Sequence, residues 1–540
     1  MNRLLFSLAL AALALALSAG PSAQGDPHRL PLSRKATSLF TASDDCVACH
    51  NGLRTASGDD VSIGTMWRST MMANSARDPY FQAGLRRETL EHPTRAATID
   101  HECAGCHAPM LQRAAHADGR DADLLQQLAH AGPHRTDDRL AIDGVSCAVC
   151  HQISGDRLGT RETANGRFLM APADKPRVAF GPFAVHAGRA RIMKSVTGFT
   201  QTEAPHIRES ALCATCHTLY TEAYDADGRV VGELPEQMTF QEWQQSAFYS
   251  EQRSCQSCHM PDVTERTRIA SVLGEEREGL SRHVFVGGNF LVLRMLDRLR
   301  SELRVEATSA ELEATARATV HQLASESATV TQAASRTAGG VTASVTTRNL
   351  AGHKFPSGYP SRRTWIHLTA QDASGRIVFE SGGVGADGAI IGNDNDADAA
   401  VFEPHFEEIQ RPDQVQIYET ILADVAGTVT TGLLRATTYL KDNRLLPRGF
   451  PKAAAAPDIA VRGAARDDRD FAAGEDVVRY GLPSSTATVH VELRYQPIAF
   501  RWAQNLRTFE APEPRRFLRA FTDMASESSV VVAQSLTQVP

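Results

Sequence analysis

All ten cysteines of this 540-residue chain fall in copies of one five-residue pattern, Cys-x-x-Cys-His. The copies are CVACH (46–50), CAGCH (103–107), CAVCH (147–151), CATCH (213–217) and CQSCH (255–259). Random placement of the chain's cysteines and histidines predicts about 0.007 copies, so composition does not produce the pattern. It is the attachment signature of a c-type haem. Two thiols form thioethers with the haem vinyl groups, and the adjacent histidine turns back to ligate the iron. Thioether attachment is therefore assigned to Cys46 and Cys49, Cys103 and Cys106, Cys147 and Cys150, Cys213 and Cys216, and Cys255 and Cys258. The proximal iron ligands are His50, His107, His151, His217 and His259, for five covalently attached haem c groups. A zinc ribbon also pairs CxxC motifs, but it has no need of a histidine after each one. A disulfide framework does not explain the fixed spacing. A chain that spends every cysteine this way is expected to work through electron flow.

Residues 1–23 open with one positive charge, run through LLFSLALAALALALSAG and end in small residues. That order reads as a secretory signal peptide. No later segment holds the ~18 uninterrupted apolar residues of a membrane span, so none is expected in the mature chain. A periplasmic protein, or one exported to the cell surface, agrees with the motifs, because bacteria attach c-type haem outside the cytoplasm. The formal net charge of −7 gives no reason to expect nucleic-acid binding. Only six of the 56 basic residues are lysine, and arginine suits bidentate pairing with carboxylates, propionates included.

The motifs start 57, 44, 66 and 42 residues apart, so they are not a tandem repeat. Between them the sequence reads as short helices and loops, with little strand patterning. Residues 284–327 carry apolar positions at threes and fours and read as helical, with His321 on the surface. From 328 the pattern alternates, in ATVTQAASR, GVTASVTTRNL, TWIHLTAQDAS and TATVHVELRYQ. The fold class expected is mixed. A mainly α and irregular multihaem cytochrome c domain spans 40–290, and a helical connector 291–327. An all-β sandwich follows over 328–500, then a C-terminal extension over 501–540.

Several stretches resemble a broad bacterial family of multihaem c-type cytochromes whose haem domain is related to the tetrahaem cytochromes of ammonia oxidisers. They are STMMANSARDP (69–79), IDHECAGCHAPM (99–110), DGVSCAVCHQI (143–153), ESALCATCHTLYT (209–221), PEQMTFQEWQQSAF (235–248) and CQSCHMP (255–261). RHVFVGGN (282–289), NLAGHKFPSGYPSRRTWIHL (349–368) and YLKDNRLLPRGF (439–450) extend the likeness over most of 40–500. The resemblance implies an exported electron-transfer protein with its haems capped by a β-rich C-terminal domain. It does not specify a substrate.

Each iron needs a sixth ligand or keeps an open site, and histidine there lowers the potential relative to methionine. His283, in RHVFVGGN, is the leading distal candidate, because its glycines allow close approach of backbone. His353, in AGHKFPSG, is next, on a loop able to reach back from the sandwich. His92, His101, His186 and His206 lie between motifs and are further candidates. His28, His116, His130 and His134 are weaker, and His367 alternates with apolar neighbours as a sheet-surface residue. Met110 and Met260 stand too close to their own motifs to ligate those irons. The acidic loop at 393–398 alternates oxygen ligands as calcium sites do, but lacks the glycine and glutamate of an EF-hand, and reads as solvated.

The function expected is electron transfer through closely packed haems, with redox proteins as partners. One alternative is a reductase or oxidase of a small nitrogen or sulfur compound at an open iron. No motif here ends in the lysine common in multihaem nitrite reductases. Another alternative is a subunit of an extracellular cytochrome filament or electron conduit.

Overall fold

The computed structural model describes residues 38–130 and 136–540. The signal segment, His28 and His134 lie outside them. Every motif sits on a short helix: Ser43–Val47 with the turn after it, Ala96–His107, Cys147–Cys150, Ser210–His217 and Cys255–His259. Helical spacing puts the cysteines at i and i+3 and the histidine at i+4 on one face. One porphyrin edge can then meet both sulfurs.

Two longer helices frame the second motif. Helix α1 (Pro79–Glu91) starts where the Asp78 carboxylate accepts the amides of Tyr80 at 2.8 Å and Phe81 at 3.2 Å, with proline at the first turn. It packs on α2 (Ala96–His107). Further on, α3 (Ala187–Thr197) buries no residue at all, whereas α4 (Phe290–Arg298) buries six. A capping box of Thr308 and Glu311 starts α5 (Ser309–Gln322), where His321 is exposed, as expected. The motif-bearing half holds more strand than its pattern suggests. Paired strands lie at Val178–Gly181 with Thr200–Glu203, Leu219–Tyr224 with Val230–Gln237, and Thr267–Arg268 with Glu276–Arg277. Most are only two to six residues long, too short for alternation to stand out.

Beyond 328 the alternating segments form two main sheets. In one, β1 (Ala328–Thr337), β2 (Gly340–Asn349) and β7 (Glu475–Leu482) pair antiparallel, and β5 (Glu408–Ile409) adds in parallel. In the other, β3 (Arg363–Asp372) lies between β4 (Ile377–Ser381) and β8 (Thr486–Gln496), with β6 (Ile417–Tyr418) also on β3. The last strand, β9 (Val530–Gln538), pairs with β8. Residues beyond 500, expected as an extension, thus supply an edge strand of this sheet. Their helix α6 (Pro512–Asp523) packs on α1.

The period of two decides which faces meet. Val341, Ala343 and Val345 of β2, and Val489, Val491 and Leu493 of β8, are wholly or almost wholly buried in one core cluster. Each such side chain contributes ~1.5–3 kcal/mol on burial. Gln332 of β1 crosses between sheets, donating to the carbonyls of Val489 at 3.0 Å and Ser535 at 2.9 Å. Among the described residues no helix is long and apolar enough to cross a membrane.

Outward on β3, His367 meets Glu492 at 3.2 Å and Glu380 at 2.9 Å. Burial alone would lower its pKa, but the two carboxylates hold it above the ordinary 6.5. The hydrogen bond from His367 is the main cause that holds Glu492 down at about 2. The histidine's contribution to stability is full below pH 6.5 and fades as pH rises through its raised value. That of Glu492 is full above 4.5 and fades only toward about 2. Wild type should therefore lose stability between ~pH 6 and ~pH 9, and His367→Gln should lose less. Urea midpoints at the two pH values measure this; equal losses would refute it.

The acidic loop at 393–398 is not a solvated loop. Asp396 is buried and holds Arg363 through two hydrogen bonds of 2.8 Å. It also accepts the amide of Ile390 at 2.8 Å. The buried guanidinium on β3 requires that carboxylate, a need invisible in the loop's own composition.

Candidate functional site

Four of the five motif histidines share one hydrogen bond. The Nδ1–H group donates to a backbone carbonyl: His50 to Ile269 at 2.6 Å, His107 to Ser75 at 3.1 Å, His151 to Phe180 at 2.6 Å and His259 to Val286 at 2.5 Å. A carbonyl only accepts, so it fixes the proton on Nδ1 and leaves the Nε2 lone pair for a metal. Burial drives the pKa of His107 down to about 4, with the Ser75 carbonyl opposing it, and lowers that of His151. Both imidazoles stay neutral, as a ligand must be. His217 makes no such bond in the described residues. It is an exposed residue.

Two of the distal candidates stand opposite motif histidines. The His151 and His283 ring centres are 6.5 Å apart with planes 17° from parallel. Those of His259 and His353 are 6.3 Å apart and 12° from parallel. Metal–nitrogen bonds of ~2.0 Å, with ~1.1 Å from nitrogen to ring centre, separate two imidazoles on one iron by ~6.2 Å. His283 Nδ1–H donates to Ser281 O and His353 Nδ1–H to Lys354 O, both at 2.9 Å. In the two pairs none of the four Nε2 atoms has a hydrogen-bond partner among the described residues. Distance alone would not suffice, since His101 and His116 are also 6.3 Å apart. There, however, His101 Nδ1 accepts the amide of Ala122 at 2.9 Å and Nε2 lies 2.9 Å from the Gln112 side chain.

The remaining candidates are not brought opposite a motif ring. His206 Nε2–H donates to Ile153 O at 2.9 Å. His92 is buried beside Tyr224, with neither ring nitrogen hydrogen-bonded. His186 is exposed on the rim of a cleft of about 130 Å³ lined by Cys46, Cys49 and His50. Its wall is mainly apolar, with Ile192, Val196, Val272 and Leu273. His116 is exposed, and Met110 is fully buried in a cluster with Leu140, Val149 and Phe168.

His353 reaches the haem half because its loop is clamped there. Glu242, from the helix Thr239–Gln244, accepts the Lys354 amide at 3.2 Å and the Ser357 hydroxyl at 3.0 Å, and pairs with Arg444 at 2.9 Å. Lys354 Nζ is fully buried and donates to Asp442 at 2.6 Å. Burial opposes ionisation of Asp442, but Arg444 and Lys354 hold it well below the usual carboxylate range. At RHVFVGGN the close approach belongs to Gly288, where a Cβ would lie 2.4 Å from the Tyr495 hydroxyl of β8.

The cysteines of different motifs adjoin one another. Cys46 and Cys147, Cys106 and Cys216, and Cys213 and Cys255 influence one another's ionisation. None of the ten forms a disulfide. Burial raises the Cys150 thiol to about 12. Among the described residues the one group with metal-ligand spacing is His405, Asp468 and Asp476, which contains no cysteine. These observations fit haem: paired sulfurs, neutral imidazoles with free Nε2 atoms, and apolar walls beside them.

Sequence reasoning missed Ile269, Ser75, Phe180 and Val286, whose carbonyls orient the imidazoles. A backbone carbonyl carries no residue signature, so nothing in the sequence marks them. Glu242, Asp442 and Arg444 were also missed, although charged residues inside EWQQ and LKDNRLL offered a signal.

No family model and no curated protein matches the chain. Among solved structures it is similar to a penta-haem cytochrome c552 from Thermochromatium tepidum. The TM-score is 0.51 at 17% identity, over 93% of this chain and 100% of that one. At that identity the likeness is one of fold, a mixed arrangement of helices and sheets.

Proposed function

We propose that the chain is an exported five-haem c-type cytochrome that passes single electrons between redox proteins. One observation carries the reading: motif histidines with Nδ1 bound to carbonyls, two of them facing a second imidazole at 6.3 and 6.5 Å. A haem bound at each motif supplies reversible one-electron exchange at iron. The chain's residues do the rest. Carbonyls hold the imidazole tautomers, the Glu242 clamp keeps His353 at its station, and burial sets the polarity around each iron.

Protein matured in a host with c-type haem attachment should contain five iron atoms and five haems per chain by metal analysis and pyridine haemochrome. Cys46→Ser with Cys49→Ser should leave four. Ten thiols open to alkylation in the matured protein would overturn the reading.

A reductase or oxidase is the second reading. It draws on His50, His107 and His217, which face no second imidazole among the described residues within the range seen for the other two. Spectral change on adding cyanide or nitrite to the ferric protein would favour it; an unchanged, wholly low-spin spectrum would refute it.

A further inference from the structure

The cleft beside the first motif opens on the least buried helix of the haem half. Helix α3 buries no residue, and the stretch 175–202 holds five basic side chains and no acidic one. They are Lys175, Arg177, Arg189, Arg191 and Lys194, in a chain of net charge −7. Arg189 is paired with Glu275, whereas Arg191 and Lys194 are exposed and form no ion pair among the described residues. Val185, 39% exposed, stands beside them. Ile192, Val196, Val272 and Leu273 form the cleft wall that a haem at the first motif would cover. Basic side chains around the edge of such a cleft steer an acidic partner toward it. The fifth motif differs, because His353 stands against its His259.

We propose that this face, α3 with the loop at 272–273, is where the chain exchanges electrons with an acidic redox protein. The proposal rests on the electron-transfer reading above. Charge selects the occupant. A carrier with an acidic rim around its own centre is repelled by most of this chain and drawn to the basic stretch, which orients it toward the cleft that holds Cys46, Cys49 and His50. A second copy of the chain would set basic helix against basic helix and is disfavoured. One electron passes, the carrier's centre being oxidised and one iron here reduced, and no bond forms or breaks. Running in reverse, the same contact discharges the chain.

Arg191→Glu with Lys194→Glu tests this, since neither residue lines the cleft. The probe is reduced plant-type [2Fe–2S] ferredoxin, an acidic carrier, with a basic cytochrome c as control. In stopped flow at ~10 mM salt the variant should accept electrons from ferredoxin at least about tenfold more slowly than wild type. At ~1 M salt the two rates should converge. Calorimetric titration with oxidised ferredoxin should show the same loss of binding, and the basic cytochrome should react faster with the variant. Arg191→Gln with Lys194→Gln should fall between, which guards against misfolding in the charge reversal. Equal ferredoxin rates at low salt, in proteins with full haem content and normal reduction by dithionite, would overturn the docking face alone. Phosphatidylglycerol vesicles that retain wild type and release the variant, with ferredoxin rates unchanged, would assign the face to a membrane and overturn it too. A chain that matures without haem would overturn both this and the electron-transfer reading.

Discussion

His353→Ala is expected to turn one of the five haems from low-spin to high-spin in the ferric protein. Electron paramagnetic resonance and the visible spectrum should both report about one-fifth of the iron changed. The expectation follows from the 6.3 Å pairing with His259 and from the carbonyl that holds His353 Nδ1. His353→Met should keep that haem low-spin and raise its potential, by on the order of 0.1 V within the ~0.8 V range that axial ligands command. His283→Ala should change a different haem by the same signature, through His151. His101→Ala should change none, because both its nitrogens already have protein partners. A ferric spectrum untouched by loss of His353 would sink the assignment.

Asp396→Ala should cost the β-rich half ~3–5 kcal/mol, since it strands a buried guanidinium. Arg363 has a side chain 2% exposed and gives three hydrogen bonds, two to Asp396 and one to Gln496, each at 2.8 Å. Removing the carboxylate leaves the charge with no anion to face. The backbone amide of Ile390 loses its acceptor as well. Arg363→Met with Asp396→Leu, which removes both charges, should cost far less than the single change. Denaturant unfolding followed by near-ultraviolet dichroism reads the difference. A loss below ~1 kcal/mol for Asp396→Ala would place this pair among weakly coupled surface bridges instead.

In the motif-bearing half the sequence marked the residues on which the site reading rests. Cys-x-x-Cys-His names its own cysteines and histidines at a fixed spacing, and four of those histidines hold Nδ1 on a backbone carbonyl. The strands beyond 328 were legible for a different reason: half-buried sheets force a period of two, as Val341, Ala343 and Val345 display against Thr342 and Ser344. What stayed hidden depends on distant partners. Leu536 of β9, 65% exposed, gives no sign that its strand pairs with His490 and its neighbours. Asp396 reads as solvated until Arg363, more than thirty residues earlier, is seen against it. His101 and His283 look alike as sequence, and only their hydrogen bonds separate them.

The Glu242 clamp has a consequence for how such a protein can be taken apart. His353 belongs to the β-rich half by sequence and stands in the haem half by position, held there by a carboxylate of the other side. Neither half is a free-standing cassette. A chain cut near 327 would separate His353 from His259, and a sheet domain borrowed from elsewhere would have to bring a histidine at the same loop.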